Sequence, residues 1–154
     1  MTQPDPLNKQ EKLQRKLSTR RGMQAFKALK RHGVEIPLKV TVGRGLRLPH
    51  GSVGLVIHED TAIGNDVRIF GGVTVGRGDQ YLSRDQVVAG GGVVIEDDAI
   101  IGAGAKVLFT GGQTLVIGRA AVIGANAVVT TDVPSGEIWA GIPARFVRLN
   151  PNAS

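Results

Sequence analysis

Aliphatic residues recur at intervals of six along most of this 154-residue chain. They form four blocks with strict spacing: Ile36, Val42 and Leu48; Ile57, Ile63, Ile69 and Val75; Ile95, Ile101 and Val107; Ile117, Ile123 and Val129. A glycine often follows the aliphatic residue, and a small or β-branched residue stands four positions after it. Neither an α-helix nor an alternating strand has this period.

A six-residue unit with one inward aliphatic residue builds one flat face of a triangular coil, and three units complete a turn of about eighteen residues. Glycine lets the backbone take a positive φ at the corners. Successive turns stack as parallel strands about 4.8 Å apart, so the aliphatic anchors form one continuous core. The sequence therefore predicts a mainly β, single-domain fold, the parallel β-helix of hexapeptide-repeat proteins.

Three intervals break the period. The spacing is nine between Leu48 and Ile57, twenty between Val75 and Ile95, and ten between Val107 and Ile117. The first break contains "LPHG", the second "GRGDQYLSRDQVVAGGG" and the third "FTGGQT". Because loops leave a solenoid where function often lies, we expect functional residues at these breaks.

Residues 1–33 have the pattern of a basic helical segment. Asp5 is a plausible N-cap, Pro6 suits the first helical position, and Gly33 can close the C-terminal end. We predict an apolar stripe, with a break near Ser18 and Thr19, that packs on the coil or on a neighbouring subunit rather than on a membrane. Its members are Leu13, Leu17, Met23, Phe26 and Leu29.

Composition narrows the function classes. Nineteen Lys and Arg against thirteen Asp and Glu give a net charge of +6, which suits an anionic ligand. Only six aromatic residues (four Phe, one Tyr, one Trp) are available for base stacking, so we expect no nucleic-acid partner. The absence of cysteine excludes disulfides, thiolate metal sites and a cysteine nucleophile. We find no membrane span or signal peptide pattern and expect a cytoplasmic protein without integral membrane association.

From about Val34 to Val147 the sequence resembles the coil domain of the serine acetyltransferase family. The matching motifs are "GRGLRLPH", "GLVIHEDTAIGNDVRIFGGVTVG", "IGAGAKV", "IGRAAVIGANAVVTTDVP" and "AGIPAR". The resemblance implies a left-handed β-helix, a homotrimer with an active site at each subunit interface, and acetyl-CoA as acyl donor without a metal. We divide the chain into a helical segment (1–33), the coil (34–147) and a C-terminal tail (148–154).

The resemblance assigns catalytic roles by position. His50 matches the family's general base, and Glu35, fifteen residues earlier, stands where the family has an orienting aspartate. An imidazole can take a proton from an alcohol near neutral pH, and a carboxylate behind the ring fixes its tautomer. His58 is either a second residue of the same cleft or an ordinary surface residue.

The later turns resemble the acetyl-CoA groove of hexapeptide acyltransferases. Small residues there would let the pantetheine arm lie along the backbone, Lys106, Arg119 and Arg145 would face the phosphates, and Trp139 would cover the adenine. The implied donor-site residues are Gly102, Ala103, Ala105, Lys106, Arg119, Ala121, Trp139 and Arg145.

Three departures from the family concern the acceptor. About thirty residues replace the long helical domain, Pro49 stands where the family has an aspartate, and the excursion after Val75 lacks the family's Arg-His pair. A zwitterionic amino acid needs a cation and an anion for recognition, so a neutral hydroxyl fits better. We therefore expect O-acetylation of a sugar or glycan unit, as in the short family members associated with polysaccharide modification.

Three alternatives remain. The first is a serine O-acetyltransferase of cysteine biosynthesis. The second is a non-catalytic trimeric scaffold, which would have no reason to keep Glu35 and His50. The third, a zinc-dependent lyase, needs three converging histidines, and one of the three histidines, His32, ends the basic helix.

Overall fold

The computed structural model describes residues 20–153 of the chain. It contains one α-helix, one 3₁₀ turn (Pro49–Ser52) and short strands that each form one face of a coil. The helix and strands are α1 (Arg20–Arg31), β1 (Val34–Glu35), β2 (Thr41–Val42), β3 (Leu55–Ile57), β4 (Thr61–Ile63), β5 (Arg68–Ile69), β6 (Thr74–Arg77), β7 (Gly92–Ile95), β8 (Ile100–Ile101), β9 (Lys106–Phe109), β10 (Thr114–Ile117), β11 (Val122–Ile123), β12 (Val128–Val129), β13 (Glu137–Gly141) and β14 (Ala144–Leu149).

The strands of a turn belong to three different sheets, one for each face of the coil, as the six-residue period predicts. The first sheet has the order β1-β3-β6-β9-β12, the second β10-β7-β4-β2, and the third β14-β13-β11-β8-β5. All pairs are parallel except β13 with β14, so each turn of the coil hydrogen-bonds to the turns above and below it. The parallel β-helix is confirmed.

Two edges of this prism matter for function. The first edge joins the third sheet to the first and comprises residues 49–54, 70–73, 102–105 and 124–127. The second edge joins the first sheet to the second and comprises residues 58–60, 78–91, 110–113 and 130–132. The first break in the period lies on the first edge, and the other two lie on the second.

The core follows the predicted anchors. The ten anchors from Ile57 to Val129 are each at most 4% exposed. The small residue four positions after an anchor also faces inward rather than marking an exposed corner: Ser52, Thr61, Val67, Val73, Ala99, Ala105, Ala121 and Ala127 are all buried. Ile36, Val42 and Leu48 are only partly buried because they belong to the terminal turn, which has no further turn stacked beyond it.

Helix α1 packs against this open end of the coil. Leu29 contacts the core, and Ala25 and Phe26 line an apolar groove with residues of the first turn. Gly33 has φ +73°, which allows the chain to leave the helix and enter β1. Met23, by contrast, is 41% exposed. The residues before Arg20 that were predicted as N-cap and first helical position (Asp5, Pro6), as stripe (Leu13, Leu17) and as break (Ser18, Thr19) lie outside the described residues.

The other end of the coil carries an antiparallel hairpin. The coil division drawn from the sequence stops at residue 147, whereas β14 continues to Leu149 and the Asn150 N–H donates to the Gly136 carbonyl at 2.7 Å. Residues assigned to the tail therefore complete the last sheet. In residues 20–153, α1 is too short and too polar to cross a membrane.

Replacing Thr61 with valine is expected to stabilise the fold. Thr61 is 3% exposed, and its Oγ1 makes no hydrogen bond to any described residue. An unsatisfied buried hydroxyl costs about 1–3 kcal/mol, and valine has nearly the same shape without it. We expect the free energy of unfolding to rise by about 1 kcal/mol, read as a Tm increase of about 2–4 °C. Thr74→Val, on the outer face of the first sheet, is the control; an unchanged or lower Tm for Thr61→Val would contradict the prediction.

Candidate active site

His50 lies on the surface of the first edge, in a tight turn. Its backbone is left-handed (φ 54°, ψ 26°), and Gly51 continues in the same region (φ 76°). The Ser52 hydroxyl is within hydrogen-bonding distance of both the Ile69 carbonyl (2.6 Å) and the Pro49 carbonyl (3.2 Å), which pins the turn to the adjacent coil. The fold thus holds the imidazole at the surface on a well-fastened turn.

Glu35 lies on the neighbouring coil of the first sheet. It belongs to β1, is exposed, and pairs in register with Val56 of β3, the strand that follows the His50 turn. The two candidates are therefore on adjacent turns, as their spacing of fifteen residues implies. Among the described side chains, no hydrogen bond or ion pair joins Glu35 to His50. The predicted orienting contact is thus not formed within one chain.

His58 lies at the second edge, across β3 from His50. Its Nδ1 accepts a hydrogen bond from the Asp60 backbone N–H at 3.1 Å, and its ring packs edge-on against Phe109 with centroids 5.0 Å apart. The accepted bond assigns the neutral ring a proton on Nε2. The two histidines therefore lie on opposite edges of the first sheet and do not share one cleft within a chain.

The small residues implied for the donor site divide into two groups. Gly102 and Ala103 lie on the first edge near the surface, and Ala103 is exposed. Ala105 and Ala121 do not line that surface, because both side chains are fully buried in the core. Their backbone N–H groups donate to Gly102 and Gly118, so these two alanines contribute packing rather than free hydrogen-bonding groups.

The basic residues implied for phosphate binding have different surroundings. The Lys106 ammonium donates to the carbonyls of Gly72 (2.8 Å) and Gly104 (3.0 Å), so it ties two coils together at the first edge. Arg119 is 63% exposed, lies 3.6 Å from the Asp98 carboxylate and lines a groove of about 380 Å³ with Glu96 and Asp97. Arg145 is exposed and donates to the Ala144 carbonyl at 2.9 Å.

Trp139 is partly buried rather than free to cover an adenine. Its ring packs against the core, and its indole N–H donates to the Glu137 carboxylate at 2.7 Å. Because Trp139 pairs in register with Ile123, which faces inward, the tryptophan follows the inward side of the pleat. The structure thus assigns it to closing the end of the coil.

Comparison with known proteins gives a consistent result for the coil. The serine acetyltransferase of Bacillus licheniformis is 41% identical over 118 residues, which are 77% of this chain and 50% of that relative. The Brucella abortus serine acetyltransferase in complex with coenzyme A is 32% identical with a TM-score of 0.60, over 75% of this chain and 42% of that one. The Neisseria gonorrhoeae enzyme in complex with serine is 35% identical with a TM-score of 0.60, over 73% and 42%.

The coil belongs to the serine acetyltransferase-like hexapeptide-repeat family. No family profile matches the chain. The chain spans about half the length of the curated relatives, 50% in the Bacillus licheniformis case. The left-handed form of the β-helix that the resemblance implied is confirmed by these neighbours.

In this serine acetyltransferase-like coil, the excursion of residues 78–91 is fastened by an ion pair that the sequence analysis missed. Asp79 is 5% exposed and accepts two hydrogen bonds from Arg77 (3.0 and 2.9 Å) and one from the Gly111 N–H (2.8 Å). Arg77 also donates to the Val88 carbonyl at 3.1 Å. A Cβ on Gly111 would collide with the Arg77 guanidinium and the Val88 oxygen. In the sequence, only the "RGD" motif that begins at Arg77 indicates this ion pair.

Replacing Asp79 with asparagine is expected to loosen the excursion. The Arg77 hydrogen bonds, followed by that from Gly111, lower the pKa of Asp79 from 3.8 to about 2. Because the folded-state pKa is depressed, the stabilisation is complete above about pH 4 and is lost as the pH falls toward 2. We expect Asp79→Asn to speed cleavage of residues 78–91 by protease at pH 7 and to flatten the acid limb of the stability curve. Asp85→Asn, at an exposed position, is the control. Equal cleavage rates for the two variants would contradict the proposal that the Arg77–Asp79 ion pair fastens the excursion.

Metal ligands are not grouped in the part of the chain that the structure describes: it contains no cluster of three His, Asp or Glu side chains able to hold an ion. His50 and His58 are on different edges, and His32 follows α1 at the end of the coil. Within one chain, the described histidines therefore do not converge on a common point.

Proposed function

We propose that this chain is an acetyl-CoA-dependent O-acetyltransferase. The observation that carries the proposal is the 41% identity of the coil to a serine acetyltransferase over 118 residues, a stretch that includes the His50 turn. The neighbour with bound coenzyme A supports the same acyl donor. Small residues at the first edge, Gly102 and Ala103, leave room for a narrow acyl chain beside the backbone.

In the proposed reaction, His50 acts as general base. It accepts the proton of the acceptor hydroxyl as the oxygen bonds to the thioester carbon. The carbon–sulfur bond then breaks, and the imidazolium returns the proton to the departing thiolate, which leaves as coenzyme A. An alcohol is a poor nucleophile near neutral pH, and positioned proton removal contributes about 10²–10⁴-fold. The left-handed turn presents the ring at the surface, where a substrate hydroxyl can reach it. Acetyl-CoA enters here as a substrate and needs no covalent enzyme intermediate.

Serine is the first acceptor to consider. The relatives are named serine acetyltransferases, and the Neisseria gonorrhoeae neighbour was solved with serine. A sugar or glycan hydroxyl is the second candidate, and one local feature favours it. Pro49 precedes His50, so the position next to the base carries no charge for a substrate ammonium.

The proposed assembly is a homotrimer with its sites between subunits. Among residues 20–153 of one chain, no carboxylate hydrogen-bonds to His50, and His50 and His58 lie on opposite edges of the first sheet. A second copy that packs its second edge against the first edge of its neighbour would bring the side chains of that second edge, His58 among them, close to the neighbour's His50. Light scattering coupled to gel filtration tests this directly, with an expected mass near three times the chain mass of 16.2 kDa.

The function is tested by measuring coenzyme A release from acetyl-CoA. Serine, other amino acids, nucleotide sugars and neutral oligosaccharides are offered separately, and the product is identified by mass spectrometry as an acetyl ester. Turnover of any hydroxyl acceptor supports O-acetyl transfer, and the preferred acceptor separates the two candidates. Failure to bind acetyl-CoA by calorimetry would contradict the proposal and favour the scaffold.

A further inference from the structure

The third break in the hexapeptide period forms a groove on the second edge. The turn between β9 and β10 comprises residues 110–113, and it faces the turn that follows β12 on the next coil. The groove between them has a volume of about 460 Å³, within the range of ordinary small-molecule sites. Its polar lining residues are Thr110, Gln113, Thr114, Thr130, Thr131 and Asp132.

These polar side chains are exposed and mostly unengaged. Across residues 20–153, the hydroxyls of Thr110, Thr130 and Thr131 and the amide of Gln113 take part in no side-chain hydrogen bond. Asp132 is the exception: its Oδ1 accepts the Val116 N–H at 2.8 Å, which holds the carboxylate in place and leaves Oδ2 available. The groove therefore presents several hydroxyl and amide groups, each able to donate and accept, beside one anchored acceptor.

The charge of the lining residues limits the classes of ligand that the groove can bind. No Lys, Arg or His lines it, so it offers no cation to a phosphate or to an amino-acid carboxylate. Four other surface grooves have a different lining. The groove beneath α1 is apolar, and the other three contain charged side chains. The charged grooves are lined by Glu96, Asp97 and Arg119, by Lys39, Glu59 and Asp60, and by Asp66, Arg68 and Asp98.

The groove adjoins the base of the excursion. The Gly78 N–H, where the excursion begins, donates to the Phe109 carbonyl at 2.9 Å, and Phe109 is itself a lining residue. On the other side, the Gly112 N–H donates to the Gly90 carbonyl at 3.0 Å, near the point where the excursion returns. The turn of residues 110–113 and the end of β9 are therefore hydrogen-bonded to both ends of the excursion, which fixes one wall of the groove.

We propose that this groove binds a neutral saccharide unit. A sugar ring carries several hydroxyls that both donate and accept, and it bears no charge, which matches a lining of threonines, one glutamine and one fixed carboxylate. The inference goes beyond the proposed O-acetyl transfer: it adds a saccharide-binding groove on the second edge, on the opposite side of the first sheet from His50. Binding itself requires neither acetyl-CoA nor turnover.

Saturation-transfer NMR on the full chain without acetyl-CoA tests the groove. The probes are lactose, cellobiose, maltose and chitobiose, with serine as the small amino-acid comparator. At least one disaccharide is expected to bind, and the double variant Gln113→Leu with Thr131→Val is expected to weaken it about tenfold, since two neutral hydrogen bonds are lost. Thr41→Val, on β2 away from the groove, is the matched control and keeps wild-type affinity. Tm values confirm that all variants are folded.

The outcomes separate this inference from the proposed function. Disaccharide binding that the double variant weakens and the control retains supports the groove. No binding by any of the four disaccharides, or binding that the double variant leaves intact, overturns it. Serine binding that depends on Gln113 and Thr131 also overturns it, because the ligand would then be an amino acid. Acetyl transfer to serine with no saccharide binding overturns the groove while leaving the proposed enzyme activity standing.

Discussion

The variant His50→Asn is expected to lower the rate of acetyl transfer by about 10²–10⁴-fold. Asparagine is the informative replacement because His50 has φ 54°, and asparagine adopts left-handed backbone more readily than alanine. The turn should therefore survive, and the loss can be attributed to the missing proton acceptor. Turnover is measured as coenzyme A release at saturating acetyl-CoA, and coenzyme A affinity is measured separately by calorimetry.

The control for this variant is His32→Asn. His32 is exposed at the end of α1 and lies on neither edge, so its replacement should leave turnover unchanged. If His50→Asn keeps full activity with a wild-type Tm, His50 is not the general base.

The variant Phe109→Ala is expected to destabilise the fold by about 3–5 kcal/mol. Phe109 is 1% exposed and is the bulkiest of the fully buried side chains. Its ring also contacts the His58 ring at 5.0 Å and lies 5.9 Å from the Arg77 guanidinium carbon. Removing it leaves a cavity where the base of the excursion meets the coil. Thermal unfolding should show a Tm lower by roughly 6–20 °C.

Tyr81→Ala is the matched aromatic control. Tyr81 is 85% exposed on the excursion, so its truncation should change the free energy of unfolding by less than about 0.5 kcal/mol. A Phe109→Ala protein as stable as the Tyr81→Ala protein would show that the coil repacks around the gap, contrary to the close packing expected of an interior.

The repeat could be predicted because its information is local. Ile57, Ile63 and Ile69 follow one another at a spacing that places each on a different face of the same turn, so the period alone indicates the coil. The first block fits less well, since Ile36 and Leu48 are only partly buried. Nothing in the period itself marks which turn is terminal and which is covered on both sides.

The candidate site was predicted less completely. Ala105 shares the motif "IGAGAKV" with the surface residues Gly102 and Ala103, yet Ala105 and Ala121 both face the core, at the corners that precede β9 and β11. Lys106 faces outward, but its ammonium is occupied by two backbone carbonyls from different coils. Such contacts join residues up to 34 positions apart, and no local pattern encodes them.

By itself, the sequence determined the coil, its three breaks and the His50 position, since periodic burial of aliphatic residues and a positional match depend only on order along the chain. Only the tertiary structure decided the rest. It put His50 and His58 on opposite edges, joined the buried Asp79 carboxylate to the Gly111 N–H of the next coil, and gathered Thr110 and Thr131 into one groove. The physical reason is that stacking turns brings residues from different coils within hydrogen-bonding distance, and these contacts depend on the stacking register rather than on sequence spacing.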